Sequence, residues 1–315
     1  MITPPYLSFI VPAFNEQGYI GNTLKQLHNF APCCMYEVII IDNGSTDNTV
    51  EIAESFNDTV LACPTGTIAA VRNQGVNESK GNILVFLDAD VELTQDWKDN
   101  IESTIAQIIE TPLLITGSRC LAPQTTNIIN NNWFNILSIS GSTTYINSGH
   151  LITSKVLFEK ISGFDESLKT AEDHDFCMRA KEAGAQISPI PALKVIHYGY
   201  PTTIKQFIKR ERWHGREDFK TISTILKSKI ALITLFHLCI LIVSLVQVMN
   251  YGPLEGVLLY LFLMAITTIP LTLYKFKDLK LKSIFKTSLM HYFYIIGRTL
   301  SFFDRITLRY SKKIR

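Results

Sequence analysis

An α/β fold is predicted for this 315-residue chain: a mostly parallel sheet with flanking helices, followed by C-terminal membrane helices. Three observations carry the prediction. Short apolar runs alternate with helical stretches through the first part of the chain. Several of these runs stop at a proline or an aspartate. After Thr202 the composition turns basic and apolar, with two runs of the length that crosses a hydrocarbon core.

Taken in order, Leu7–Val11 reads as a strand ended by Pro12, and Tyr19–Phe30 as a helix. Glu37–Ile41 is a second strand, stopped by Asp42-Asn43-Gly44. Asp47 or Thr46 then caps a helix over Asn48–Phe56. Val60–Cys63 is a third strand, Ile68–Glu78 a helix, and Ile83–Leu87 a fourth strand running into Asp88. Strands spaced by helices of this length imply β-α-β units and a parallel sheet. In such sheets ligands gather at the carboxyl ends of the strands, so Pro12, Asp42 and Asp88 are expected along one edge. Thr125–Asn147, rich in Asn, Ser and Thr, reads as a loop or mobile segment around Trp133-Phe134. A helix over Asp175–Ala183, capped by Asp175, ends at Gly184, and Ile187–Pro191 and Lys194–His197 return to extended structure.

The expected organisation is an α/β domain over residues 1–202, a basic amphipathic interfacial helix and linker over 203–229, two transmembrane helices within 230–274, and a basic tail over 275–315. The apolar runs are Ile230–Val248 and Leu254–Tyr274, separated by Met249–Pro253. Lys227 and Lys229 precede the first, Lys275, Lys277, Lys280 and Lys282 follow the second, and the loop between holds no Lys or Arg. Both outer ends are therefore expected on the cytoplasmic side. A third crossing over Ile284–Phe303 would put Arg305, Arg309, Lys312, Lys313 and Arg315 outside, so an interfacial amphipathic helix is expected there instead.

Charge divides the same way. Residues 1–196 carry 11 Lys+Arg against 22 Asp+Glu, and residues 197–315 carry 19 against 6. An acidic body on a basic, apolar tail suits a bilayer with anionic headgroups, and no nucleic-acid partner is implied. Met1–Pro5 has no basic or long apolar stretch, so no signal peptide is expected. The six cysteines lack paired zinc spacing and read as reduced thiols in a cytosolic compartment.

Asp88-Ala89-Asp90 ends an apolar strand, where a carboxylate is costly without a partner. Two carboxylates around a tight turn suit a hard divalent ion such as Mn²⁺ or Mg²⁺, which accepts oxygen ligands and bridges them to phosphates. Its companions come in order: Val11-Pro12-Ala13-Phe14-Asn15-Glu16, Asp42-Asn43-Gly44-Ser45-Thr46-Asp47, Arg72-Asn73, Asn147-Ser148-Gly149, Gly163-Phe164-Asp165-Glu166 and Glu172-Asp173-His174-Asp175. This order resembles the family 2 glycosyltransferases, over roughly residues 6–200. The resemblance implies a GT-A fold, a Rossmann-like sheet with flanking helices.

It further implies that Pro12, Asn15 and Glu16 border a nucleotide pocket with Asp88 and Ala89, that Asp42 accepts hydrogen bonds from the base, and that Arg72 lies beside base and diphosphate. Asp88 and Asp90 would hold the metal, with His197 as a further ligand or else a partly buried structural histidine. Asp173, with Glu172, matches the motif whose Asp removes the acceptor proton. Gly149, Arg212 and Trp213 are the acceptor-side or lid candidates, although Lys209 stands where a processive synthase motif would have Gln.

The implied partners are a nucleotide-sugar donor with a lean to UDP, the lipid bilayer, and a lipid-linked or glycan acceptor. A polyprenyl-phosphate acceptor needs no base, and Glu172-Asp173 counts against it; Val91-Glu92-Leu93-Thr94 also departs from the Gln and prolines usual there. A non-catalytic nucleotide-binding scaffold is the reading from another class, opposed by the acids at 88, 90 and 173.

Overall fold

The computed structural model describes residues 6–139, 145–219, 221–276 and 279–313, with the side chains of 139 and 306–313 excepted. Met1–Pro5, residues 140–144 of the Asn/Ser/Thr-rich stretch, Lys277 and Arg315 lie outside the described residues, as do the side chains of Arg309, Lys312 and Lys313. The chain divides into two compact units: Met1–Pro123 with Gly141–Tyr200, and Gln124–Ser140 with Pro201–Arg315.

In the first unit, β1 (Tyr6–Ala13), β2 (Met35–Asp42), β3 (Thr59–Ala62) and β4 (Ile83–Leu87) alternate with α1 (Ile20–Phe30), α2 (Thr49–Glu54) and α3 (Ile68–Glu78). There follow β5 (Val91–Leu93), α4 (Gln95–Glu110) and β6 (Leu114–Gly117). After the excursion into the second unit come β7 (His150–Ser154), α6 (Lys155–Lys160), α7 (Glu172–Glu182), β8 (Gln186–Ile187) and β9 (Val195–His197). Seven strands form one sheet in the order β3-β2-β1-β4-β7-β6-β8, and β5 pairs antiparallel with β9. The β1–β2, β1–β4, β2–β3 and β6–β8 pairs are parallel, whereas β7 runs antiparallel to both β4 and β6.

Alternation along the strands builds two cores. Leu7, Phe9 and Val11 of β1 pack with α1 and α4 through Ile20, Leu24, Leu27, Trp97 and Ile101. Ile10, Ile39 and Ile41 face the other way, onto α3 and α7 through Val71, Val76, Phe176 and Ala180. A sheet covered on both faces explains why its strands read as continuous apolar runs.

The structure differs from expectation at several ends. β1 continues through Pro12 to Ala13, because on this strand Pro12 stands opposite Ile41 without ending the ladder. α7 starts at Glu172, after Ala171 in the left-handed region (φ 62°), so Asp175 lies within the first turn and pairs with Arg179 at 2.7 Å instead of capping. Asp47 does take the Thr49 amide at 3.0 Å ahead of α2.

The second unit holds a π-helical turn (Asn130–Phe134), α5 (Asn135–Ile139), α8 (Ile204–His214), α9 (Ile222–Lys227), α10 (Lys229–Tyr251), α11 (Pro253–Lys275) and α12 (Leu281–Lys313). The stretch expected to be a loop around Trp133 is thus helical over residues 130–139. Trp133 is 2% exposed, its ring against Phe207, Phe276, His291 and Tyr294 at centroid distances of 4.8–6.2 Å, with the Lys275 ammonium 4.8 Å above it. An Asn-rich sequence hides this, because its anchor is one aromatic residue whose partners lie far along the chain.

α10 and α11 are each 23 residues and apolar enough to cross a membrane, and only 28% and 22% of their most apolar windows are buried. At ~1.5 Å per residue each is about 34 Å long, near the hydrocarbon thickness of a bilayer. Gly252 (φ 118°) and Pro253 turn one into the other.

Candidate active site

Parallel pairing places the expected residues on one edge. Ala13 stands opposite Asp42, and Ile10 opposite Phe86, so the same register carries Asp88 to the level of Pro12. Beyond β1, Asn15 adopts φ 57° and its side chain accepts from the Thr46 amide at 2.8 Å, while its own amide donates to Ser45 Oγ at 2.9 Å. These bonds tie the Phe14–Gln17 turn to the loop after β2. Asp42 is 7% exposed and accepts the amides of Gly44 and Ser45, both at 3.0 Å. Its carboxylate is thereby fixed at the strand end before any ligand arrives.

Around Asp88-Ala89-Asp90 the acids crowd together. One ligand atom from each of Asp88, Asp90 and His197 lies within 4.8 Å of the other two, and His197 Nε2 is 3.2 Å from Asp90 Oδ1. β5–β9 pairing makes this meeting, since Val91 stands opposite His197. Gly199 allows it, because a Cβ there would overlap the Asp90 carboxylate. Glu16 faces the same cluster: burial and then the charges of Asp90 and Asp88 push its carboxyl up to about 8. The two carboxylates of Asp88 and Asp90 with the His197 imidazole are a donor set that fits Mn²⁺ or Mg²⁺.

Arg72 is 2% exposed, and its guanidinium donates from Nη2 to Asp88 Oδ1 and from Nη1 to Glu172 Oε1, each at 2.7 Å. Burial acts to lower its pKa, but the Asp88 and Glu172 charges outweigh it and the net shift is upward. The expected place for Arg72 was beside base and diphosphate. Both of its terminal nitrogens are bound to carboxylates, and it fastens the end of β4 to the start of α7.

Glu172 and Asp173 are 6% and 8% exposed. Glu172 also accepts from Ser148 Oγ at 3.3 Å, and Asp173 accepts from the His174 amide at 2.7 Å. Burial, then the Glu172 charge beside it, raise the Asp173 carboxyl above the usual carboxylate range. Gly149 sits beneath Asp88: its carbonyl accepts the Asp88 amide at 3.3 Å, and a Cβ would lie 2.8 Å from Asp88 Oδ2. Ala89 is buried, 2% exposed. Arg212 and Trp213 belong to the second unit, where Arg212 Nε donates to Asp304 at 2.7 Å and Trp213 is 39% exposed.

One contributor, Gly199, gives no motif in the sequence, and Glu16, expected at the nucleotide pocket, also feels the charges of Asp90 and Asp88. The signal for Glu16 is its place directly after a β1 end that must lie level with Asp88.

Comparison with known proteins bears on the family and the fold. Glycosyltransferase AglE of Haloferax volcanii is 36% identical over 111 residues, 33% of this chain and 36% of that protein. Chondroitin synthase of Pasteurella multocida is 26% identical over 221 residues, 67% of this chain and 22% of that protein. The chain therefore spans little more than a third of either relative at most. Among solved structures, a mannosyltransferase from Pyrobaculum calidifontis in complex with GDP-Man and Mn²⁺ superposes with a TM-score of 0.59 at 17% identity, covering 96% of this chain and 88% of that one. That likeness concerns the fold. Residues 8–163 match the family model described as glycosyl transferase family 2, and the chain belongs to that family.

Proposed function

We propose that the protein is an inverting glycosyltransferase that moves a sugar from a nucleoside-diphosphate sugar, UDP-linked by preference, to a hydroxyl of a membrane-associated glycolipid, lipid-linked saccharide or polysaccharide. The observation that carries this is Arg72 joining Asp88 of the acidic cluster to Glu172, the neighbour of Asp173, with Asp42 on the same strand edge. A donor site and a proton acceptor are thereby held by one buried cation.

The residues divide the work. Asp42, Pro12, Asn15 and Glu16 border the nucleotide, and an ionised carboxylate at Asp42 accepts a base N–H. Asp88, Asp90 and His197 would hold Mn²⁺ or Mg²⁺, which supplies the charge neutralisation that lets a diphosphate leave without a general acid. Asp173 takes the proton of the acceptor hydroxyl as the glycosidic bond forms on the face opposite the leaving group. A single displacement of this kind inverts the anomeric centre. α10 and α11 anchor the enzyme in the cytoplasmic membrane with its catalytic residues on the cytoplasmic side. An acceptor carried in the membrane then meets the enzyme in two dimensions.

The test is a screen of UDP- and GDP-sugars with Mn²⁺ by thermal shift, then transfer assays on the donor that binds. Asp173→Asn is expected to lose transfer by at least about a hundredfold while retaining donor binding, the size typical of a lost general base. Asp42→Ala is expected to lose binding. Undiminished turnover by Asp173→Asn removes it as the base. A wild type that binds no nucleotide-sugar favours the scaffold reading.

A further inference from the structure

His150 is fully buried, yet no step of the proposed chemistry uses it. Its ring stands between two donors on opposite sides. Trp97 Nε1–H, on α4 and also fully buried, donates to His150 Nε2 at 2.8 Å. On the far side Nδ1 accepts from the Ser118 amide at 3.1 Å and lies 3.0 Å from Ser118 Oγ, and Ser118 Oγ–H donates to the Leu193 carbonyl.

Each ring nitrogen thus faces a donor that has no lone pair to offer, the indole N–H at Nε2 and the Ser118 amide at Nδ1, in a fully buried place. Burial also pushes the ring down to about 3, so it stays neutral through the working pH range. The result is a buried chain of contacts: Trp97 to His150 to Ser118 to Leu193.

That chain ties together two parts of the acidic cluster. On one side, His150 ends the Asn147–His150 turn, in which its amide donates to the Asn147 carbonyl at 3.1 Å and Gly149 accepts the Asp88 amide. On the other, Leu193 leads into β9, which the Leu121 amide grips at the Val195 carbonyl (3.0 Å) and whose His197 amide donates to the Leu121 carbonyl (2.9 Å). Asp88 and His197 lie at the ends of separate strands, β4 and β9, and His150 links β7, the partner of β4, through Ser118 to Leu193 ahead of β9.

We propose that His150, held between Trp97 and Ser118, is a positioning residue that sets Asp88 and His197 at the spacing a divalent cation requires. This rests on the metal site proposed above. Groups that orient ligands from behind typically change metal affinity about 10–100-fold when lost.

The experiment uses the full chain in detergent and Mn²⁺ alone as probe, with free Mn²⁺ read by electron paramagnetic resonance. Wild type is expected to bind, and Asp90→Asn to bind at least tenfold more weakly. His150→Phe, which fills the ring's place without either polar atom, is expected to weaken Mn²⁺ at least tenfold. His150→Gln, whose amide can accept from Trp97 and donate to Ser118, is expected to recover most of that loss. Wild-type binding that survives His150→Phe within twofold overturns the role of His150 alone. Absence of wild-type binding overturns the metal site beneath it. Should His150→Phe fail to fold, Trp97→Phe, which removes the donor at Nε2, decides in its place: Mn²⁺ binding at least threefold weaker than wild type is expected, and binding within threefold overturns the proposal.

Discussion

Asp173 sits where a base is useful only if its proton leaves near neutral pH. Burial and the adjacent Glu172 charge raise its carboxyl, whereas Arg72 and the His174 amide act to lower it. A raised acid is protonated at pH values where an ordinary Asp, at about 3.9, is ionised. Base-dependent turnover should therefore climb as pH rises through this elevated value, and the acidic limb of kcat/KM against pH should lie above the ordinary carboxylate range. Glu172→Gln removes the charge that raises Asp173 and leaves Arg72 with one carboxylate fewer to answer, so the limb should move to lower pH. The profile is to be measured at saturating Mn²⁺ for both proteins; a limb that stays or moves upward contradicts the assignment. At this scale the sequence was legible where chemistry sits in a motif: Asp42, Asp88, Asp90 and Asp173 all lie at strand or helix ends as their motifs imply. Arg72 was not, because a helix pattern shows that a residue faces inward but not which carboxylates it will meet from residues 16 and 100 positions away.

Helices and strands were readable in proportion to how local their causes are. Ile83–Leu87 and Ile68–Glu78 were anticipated to the residue, one an unbroken apolar run and the other a segment begun by the Thr67 cap. α4 was passed over although Thr94 caps it, and β7 was not separated from its Asn-rich surroundings. β7 is antiparallel to both neighbours, so the β-α-β rhythm that reveals the first four strands does not extend to it. The π-helical turn at Asn130–Phe134 depends on contacts from the far end of the chain. Its stability should accordingly rest on Trp133. Trp133→Ala empties a site lined by Phe207, Phe276, His291, Tyr294 and the Lys275 ammonium, and large-to-small changes of this kind cost about 3–5 kcal/mol. Proteolysis of the full chain in detergent should then cut within residues 124–139 far sooner than in wild type, with Trp133→Phe intermediate. Unchanged protection would mean that the segment is held by something other than this ring.

For the molecule in a bilayer, α12 decides how many times the chain crosses. Its 33 residues are long enough to span, and hydropathy alone leaves the question open. Packing within the second unit constrains it. Tyr294 lies under the Lys275 ammonium, 5.8 Å away, at the end of α11. One turn later Arg298 donates to Asp218 at 3.2 Å, and Asp218 in turn accepts from Ser228 Oγ, the cap of α10, at 2.9 Å. Ile295 packs with Ile240 and Met264, and Thr299 Oγ1 lies 2.7 Å from His237 Nδ1, so residues 294–299 lie against the half of the α10–α11 hairpin nearer its outer ends. From there α12 could cross only with residues 299–313, which include Asp304, Arg305, Arg309, Lys312 and Lys313. Charged side chains at that density are excluded from a hydrocarbon core. Arg212 of α8 also pairs with Asp304, and α8 follows the first unit after residues 201–203, too few to traverse a bilayer. The C-terminus should accordingly lie on the side of the hairpin's two outer ends, with Lys282 and Lys286 exposed beside Phe285 and Leu289 as a stripe suited to anionic headgroups. In proteoliposomes treated with external protease, a C-terminal tag should be cleaved in the same vesicle fraction that loses the first unit. A tag protected where that unit is digested would establish a third crossing, and would place residues 305–315 on the opposite face from the acids at 88, 90 and 173.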